Sequence, residues 1–284
     1  MLLIAKHSFQ FSNLHNSILS ELNMNISLEN KHAIVCGSTQ GIGKAAAMEM
    51  AQLGAKITLV ARNATELQKV SKELSQKFSQ KHDFIEADFT KPEELKTKIE
   101  KYISGQPIHI LVNNSGGPKG GPITEAKTEE FTAAFNQHLV CNHILVQAVL
   151  EGMKKEKYGR IINIISTSVK QPIKGLGVSN TIRAAVANWS KTLAGEVARY
   201  GITVNNILPG STDTQRLSTL HEAIAKRESK NIEAVKEDWL KEIPMGRFAS
   251  AEEIANAIAF LASPAASYIT GINLPVDGGR TGSL

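Results

Sequence analysis

Glycines 37, 41 and 43, in the run Cys36-Gly37-Ser38-Thr39-Gln40-Gly41-Ile42-Gly43, stand where a chain could hold phosphate. The run closes the apolar segment Ala33-Ile34-Val35 and opens a helix. Without Cβ atoms at such a turn, phosphate oxygens can approach the backbone N–H groups and the positive end of the helix. Ile42, Ala46, Met50 and Leu53 follow at helical spacing, Gly54 reads as a stop, and Ile57-Thr58-Leu59-Val60 reads as a second strand. A dinucleotide site requires this setting of strand, turn, helix and strand. The end of the second strand, Val60-Ala61-Arg62-Asn63, narrows the cofactor. A carboxylate there would bind the adenosine ribose 2′-hydroxyl and repel a 2′-phosphate; Ala61 carries none, and Arg62 brings a planar cation suited to phosphate. NADP(H) is therefore favoured over NAD(H). Asn63 with Glu66 also reads as a capping box for the next helix.

The spacing Gly-x-x-x-Gly-x-Gly resembles that of the short-chain dehydrogenase/reductase family. Asn113-Asn114-Ser115-Gly116 looks like the family's Asn-Asn-Ala-Gly, and Asn205-Asn206-Ile207-Leu208-Pro209-Gly210 through Thr214 looks like its Asn…Pro-Gly-x-x-x-Thr segment. Asp277-Gly278-Gly279 fits its last strand and turn. In order and spacing the resemblance covers about Met24 to Arg280. It implies cofactor contacts from Gly37, Ser38, Gln40, Gly41, Ile42 and Gly43, from Arg62 and Asn63, and from Asp88 and Phe89 at the adenine. Further contacts are implied from Asn114, Ser115 and Gly116 and from Pro209, Gly210, Thr212 and Thr214. Within the family, the pattern is closest to the 3-oxoacyl-acyl-carrier-protein reductases.

The residues that usually carry the family's chemistry are replaced. Family enzymes place a Ser at the end of the fifth strand, a Tyr thirteen positions later and a Lys four beyond that. Ser166 fits the first place, but counting forward lands on Ser179 and Arg183. The family's helix Asn is matched by His138. In reduction, a hydride reaches the carbonyl carbon while the Tyr hydroxyl protonates the oxygen. A Tyr pKa near about 10 can be lowered by a neighbouring Lys, whereas Ser179 would be a far weaker acid. Arg183, with a pKa above about 12, cannot relay a proton as Lys does, yet its fork could hold ribose hydroxyls or a developing oxyanion. Other donors are Lys170, which could equally be a solvated loop residue, and His138, which could shuttle protons or simply pack in its helix. Ser179 could orient a water or cap a helix. No tyrosine replaces the missing one: Tyr102, Tyr158, Tyr200 and Tyr268 match no catalytic position.

Positioning these groups requires an α/β protein. Strands at 33–36, 57–60, 83–86, 108–112, 160–165, 203–208 and 272–276 alternate with helical stretches. That pattern predicts one Rossmann-like domain over residues 24–284, a doubly wound parallel sheet of seven strands with helices on both faces. Thr90/Glu93 and Ser250/Glu253 predict capping boxes. Long helices are predicted around Thr128 to Lys155 and Ser179 to Tyr200, the pair through which family members commonly dimerise, so a homodimer or homotetramer is expected. The segment 211–246, with Leu217, Leu220, Ile224, Ile232, Val235 and Leu240, reads as a helical lid with an apolar underside.

With 284 residues, 42% of them hydrophobic, the chain can build one large core. The net charge of +5 raises a nucleic-acid reading, but Lys and Glu are mixed along the helices, as on solvated faces. No apolar span is long enough to cross a membrane. Neither a nucleic-acid nor a membrane partner is expected, and no metal ligand set stands out. Cys36 and Cys141 are the only cysteines, which suits a reducing cytoplasm. Residues 1–23 have no family counterpart and read as a disordered tail or as the product of an upstream start codon chosen in error. Two function classes remain open: a carbonyl reductase with a nonstandard proton donor, and a catalytically silent NADP(H)-binding or sensing protein.

Overall fold

The computed structural model describes residues 24–283; the expectations for residues 1–23 lie outside them. Seven strands form one parallel sheet in the order β3-β2-β1-β4-β5-β6-β7. They are β1 (His32–Cys36), β2 (Lys56–Ala61), β3 (Asp83–Glu86), β4 (Ile110–Asn113), β5 (Gly159–Ile164), β6 (Ile202–Pro209) and β7 (Asn273–Val276). The predicted boundaries agree to within two residues. The helices are α1 (Gly41–Gln52), α2 (Ala64–Lys77), α3 (Pro92–Ile103), α4 (Thr128–Phe135), α5 (Cys141–Glu156), α6 (Gly177–Val197), α7 (Gln215–Glu228), α8 (Ile232–Lys241) and α9 (Ala251–Ala262).

Parallel strands covered on both faces must be apolar on both, and alternation decides which face each residue serves. Ala33 and Val35 of β1 enter one buried cluster, with Met50 of α1, Leu67 and Leu74 of α2 and Ile258 of α9. Ile34 and Cys36 enter the other, with Leu95 and Ile99 of α3, Leu145 and Val149 of α5 and Val197 of α6. The strand order reverses between β1 and β4, where a doubly wound sheet opens a crevice at its carboxyl edge.

A polar seam crosses the β4 to β7 half. Asn113, Asn163, Asn206 and Asn273 are register partners on successive strands. Asn113 Nδ2 donates to Asn163 Oδ1 at 2.8 Å, Asn163 Nδ2 to Asn206 Oδ1 at 3.0 Å, and Asn206 Nδ2 to Asn273 Oδ1 at 2.8 Å. Ser190 of α6 joins it, accepting from Asn163 Nδ2 and donating to Asn206 Oδ1, both at 2.8 Å. Each amide of the ladder shares a hydrogen bond with its register neighbour, the ladder ties α6 to the sheet, and Asn113 Oδ1 at its start has no partner among the described residues.

Three local expectations need correction. The first long helix is interrupted by a π turn at Asn136–Val140, between α4 and α5. The capping box at Thr90/Glu93 does not form: α3 starts at Pro92 after Lys91, and the Thr90 N–H donates to Asp88 Oδ1 at 2.9 Å instead. The N-cap position therefore falls on Lys91, one residue past Thr90, and Glu93 stands at the second helical position rather than the third, so the pair is out of register for a box. Ser179 is not a cap either, because α6 begins two residues earlier after Leu176 and holds Ser179 in its first turn. The box at Ser250/Glu253 is present in both directions, and Asn63 Oδ1 accepts from the Glu66 N–H at 3.1 Å.

Candidate active site

A cleft of about 600 Å³ opens along the carboxyl edge of the sheet. One end is built on backbone. Gly37 has φ +59°, a conformation that L side chains rarely adopt, and a Cβ there would stand 2.7 Å from Asn114 Nδ2. A Cβ on Gly43 would stand 2.2 Å from the Gly37 carbonyl oxygen, which no side chain tolerates. The turn is therefore folded tightly against β4, and α1 begins at Gly41 with no side-chain cap and no acidic residue in its first turn. Its first N–H groups and its dipole are left to an external anion. Such a cradle fits the diphosphate of a dinucleotide.

Gly37, Gln40, Gly41 and Ile42 line this end, with Arg62, Asn63, Asp88 and Phe89 beyond them. Asp88 is held ionised below the usual carboxylate range by the Thr90 N–H, with the nearby Arg62 charge as a lesser cause. Asn114, Ser115, Gly116, Pro209, Gly210, Thr212 and Thr214 line the cleft further along. Ser38 and Gly43 do not line it. Ser38 is buried behind the turn, where its Oγ accepts from the Val60 N–H at 3.0 Å and clamps β2 to the turn. Cys36, before the turn, is buried, and burial pushes its thiol up, with the Asn114 backbone as a lesser opposing influence.

The other end is built on side chains. Ser166 follows β5 and accepts from the Ser168 N–H at 3.1 Å. Ser166, Ser179 and Arg183 all line the cleft. Arg183 is buried, and its Nη1 donates to the Ile164 carbonyl oxygen at 2.9 Å. Burial, with a lesser push from Arg216, brings its guanidinium down to about 10, so it stays protonated near neutral pH. Of the sequence candidates, His138 and Lys170 do not line the cleft. Lys170 ends the short turn Thr167–Val169.

His138 is the clearest departure from expectation. It sits in the π turn, 2% exposed, and shares a 2.8 Å hydrogen bond between Nδ1 and Ser115 Oγ. Burial first, then the charges of Arg183 and Arg216, push its pKa down to about 2. It cannot shuttle protons near neutrality, because the imidazolium would be a third cation beside two guanidinium groups. Its Nε2 has no partner among the described residues.

Several wall residues were not legible as site residues. Arg216 from α7 crosses the cleft and donates from Nη2 to the Pro118 carbonyl oxygen at 2.8 Å. Gln137 Nε2 donates to the Gly116 carbonyl oxygen at 2.7 Å. Arg280, after β7, pairs with Glu242 and lies 5.0 Å over the Trp239 ring. The expected lid consists of α7 and α8, with Leu217, Leu220 and Trp239 turned to the cleft. Among the described residues no tyrosine lines the wall.

A doubly wound parallel sheet with a glycine cradle at the switch point and polar side chains opposite it defines a nucleotide-binding α/β protein of the oxidoreductase type. Residues 37–281 match the family model described as enoyl-(acyl carrier protein) reductase. The 3-oxoacyl-[acyl-carrier-protein] reductase FabG of Pseudomonas aeruginosa is 35% identical over 258 residues, 89% of this chain and 98% of that protein. The NADPH-dependent reductase BacG of Bacillus subtilis is 31% identical over 90% of this chain and all of its own length. Among solved structures, L-sorbose reductase from Gluconobacter frateurii, complexed with NADPH and L-sorbose, superposes with a TM-score of 0.86 at 32% identity, covering 92% of this chain and 100% of that one. The chain belongs to the short-chain dehydrogenase/reductase family.

Proposed function

We propose that this protein is an NADP(H)-dependent carbonyl reductase in which Ser179 and Arg183 stand in for the family's Tyr and Lys, beside Ser166 in the family's Ser place. The observation that carries the reading is Arg183. It is a buried guanidinium in the cleft wall, beside the strand end that bears Ser166 and one turn beyond Ser179, and its Nη1 donates to a main-chain carbonyl. Reduction of C=O to CH–OH adds a hydride to carbon and a proton to oxygen. NADPH, when bound, supplies the hydride. Gly37, Gln40, Gly41 and Ile42 would hold its diphosphate, and Arg62 its 2′-phosphate. The NADPH-dependent relatives support that choice of cofactor.

The chain must handle the oxygen. Ser166 and Ser179 donate hydrogen bonds to the carbonyl oxygen, and the fixed cation of Arg183 stabilises the negative charge that grows there. A Ser hydroxyl is too weak an acid to end as an alkoxide, so Ser179 passes a proton from water rather than supplying its own. The substrate is a carbonyl or hydroxyl compound flanked by Leu217, Leu220 and Trp239, and 3-oxoacyl thioesters and other ketones belong in the panel that tests it. The rival reading, a silent nucleotide sensor, draws support from the neutral His138 and the wall without tyrosine.

As in many members of the family, a homodimer or homotetramer through α5 and α6 is expected; sedimentation analysis tests this. Among the described residues no helix is long and apolar enough to cross a membrane. Fluorescence titration with NADPH and NADH, followed by NADPH oxidation over ketones, diketones and 3-oxoacyl thioesters, tests the main reading. Turnover that falls in Arg183→Ala, Ser166→Ala and Ser179→Ala supports it. Tight NADPH binding with no turnover on any carbonyl overturns it in favour of the sensor.

A further inference from the structure

We infer that the cleft is built for an anionic carbonyl compound, an oxo acid bearing a free carboxylate, and that Arg216 takes that carboxylate. This rests on the reductase reading and names the substrate class within it. The charge balance of the wall leads there. Arg62, Arg183, Arg216 and Arg280 line the cleft, and among the described residues Asp88 is the one acidic residue that does. Arg62 and Asp88 belong to the adenosine end, Arg280 is paired with Glu242, and Arg183 faces the reacting oxygen.

Arg216 is left over. The arginines that pair with carboxylates among the described residues are Arg227, Arg247 and Arg280. Arg216 instead donates once to the Pro118 carbonyl oxygen. Its guanidinium lies against Gly117, where a Cβ would stand 3.0 Å from Nη2. The glycine thus lets a lid residue on α7 reach the loop after β4, on the side of the cleft away from Arg62. Arg216 is also close enough to Arg183 and His138 to disfavour a positive charge on both.

Two cations in one wall repel each other, and an anion between them relieves that repulsion. A guanidinium has five N–H donors in a fixed fork that matches a carboxylate through two parallel bonds. A thioester offers only a neutral carbonyl at that place. The neighbouring Ile173, Leu176, Leu217, Leu220 and Trp239 provide an apolar wall for the rest of the molecule. The substrate that fits is an oxo carboxylate with a hydrocarbon or aryl arm.

Benzoylformate and its methyl ester form a matched pair that differs in this charge. With the full chain and saturating NADPH, kcat/KM should favour the anion by about tenfold or more, as expected for a charge-assisted bidentate contact. In Arg216→Gln that preference should fall to about one, and Arg216→Lys should restore part of it. A wild-type preference for the ester, or a preference that survives in Arg216→Gln, overturns the proposal. So does an equal loss of NADPH affinity in Arg216→Gln by fluorescence titration, which would assign Arg216 to the cofactor. Calorimetry of benzoylformate with the NADP⁺-loaded protein reads the same site without turnover. Binding of the anion that is lost in Arg216→Gln supports the site even if nothing is reduced, and in that case only the reductase reading fails. No binding of the anion overturns the site itself.

Discussion

The two halves of the sheet hold their ends of the cleft in opposite ways. In the β3-β2-β1 half the grip is made by missing atoms: Gly37 and Gly43 pack backbone on backbone, and a Cβ on either would meet its neighbour at under 3 Å. In the β4 to β7 half the grip is made by present atoms, an asparagine ladder that ties α6 to the sheet and so sets where Ser179 and Arg183 stand. Backbone recognition survives changes elsewhere in the chain, because it depends on local conformation. Side-chain chemistry depends on partners contributed by distant strands.

Breaking each half should give different signatures. Gly43→Val places atoms on the Gly37 carbonyl, and NADPH binding should be lost altogether in a fluorescence titration; an unchanged affinity would refute the backbone account of the first half. Arg183→Ala should lower kcat by about 100- to 1000-fold, the usual cost of losing one oxyanion stabiliser. Its NADPH dissociation constant should change far less; a parallel loss of binding would place Arg183 in the cofactor half.

Acid should weaken both halves together. His32, at the amino edge of β1, is buried against Thr58, with Nε2 2.7 Å from Thr58 Oγ1, and burial lowers its pKa to about 4. His138 in the other half falls to about 2. For a histidine held neutral by burial, the unfolded chain takes up the proton first. Stability is therefore intact above the unfolded pKa of about 6.5 and declines as pH falls toward the folded values, by about 2 kcal/mol for each histidine between pH 7 and pH 5. Urea unfolding across that range should show the loss, with His32→Asn and His138→Asn each removing part of the slope; a flat profile would contradict the burial account.

Asn163→Ala leaves the Asn206 carbonyl, the Asn113 amide and the Ser190 hydroxyl each short of a partner. It should cost about 2 kcal/mol in urea unfolding, within the usual range for buried polar groups left unpaired. A neutral result would mean that the seam is solvated. The smallest effect is expected at Arg62, which is exposed. Arg62→Ala should reduce the preference for NADPH over NADH by about tenfold, since one charge-assisted contact to the 2′-phosphate is removed.

Much of this molecule is readable from one dimension because its signals are local. The glycine turn, the seven strand segments and the capping box at Ser250/Glu253 each occupy a few consecutive residues. The misreadings came where local rules compete: Ser179 looked like a cap because a helix follows it, but Leu176 and Gly177 had already begun that helix. Asn113, Asn163, Asn206 and Asn273 give no sign of each other in the sequence. Only parallel register brings them side by side.

The order of residues by itself determined the family, the doubly wound sheet and the place where a nucleotide's phosphates would sit, because a missing Cβ and the alternation of apolar residues act at the position where they are written. Tertiary structure decided the electrostatics of the opposite end. Arg216 lies 33 residues beyond Arg183 in the numbering and 78 beyond His138, and folding brings all three within reach of one another's charge. Desolvation and Coulomb interactions depend on distance through the folded protein rather than along the chain. His138, which the sequence leaves open between a proton shuttle and a packing residue, is therefore a neutral buried ring in the fold.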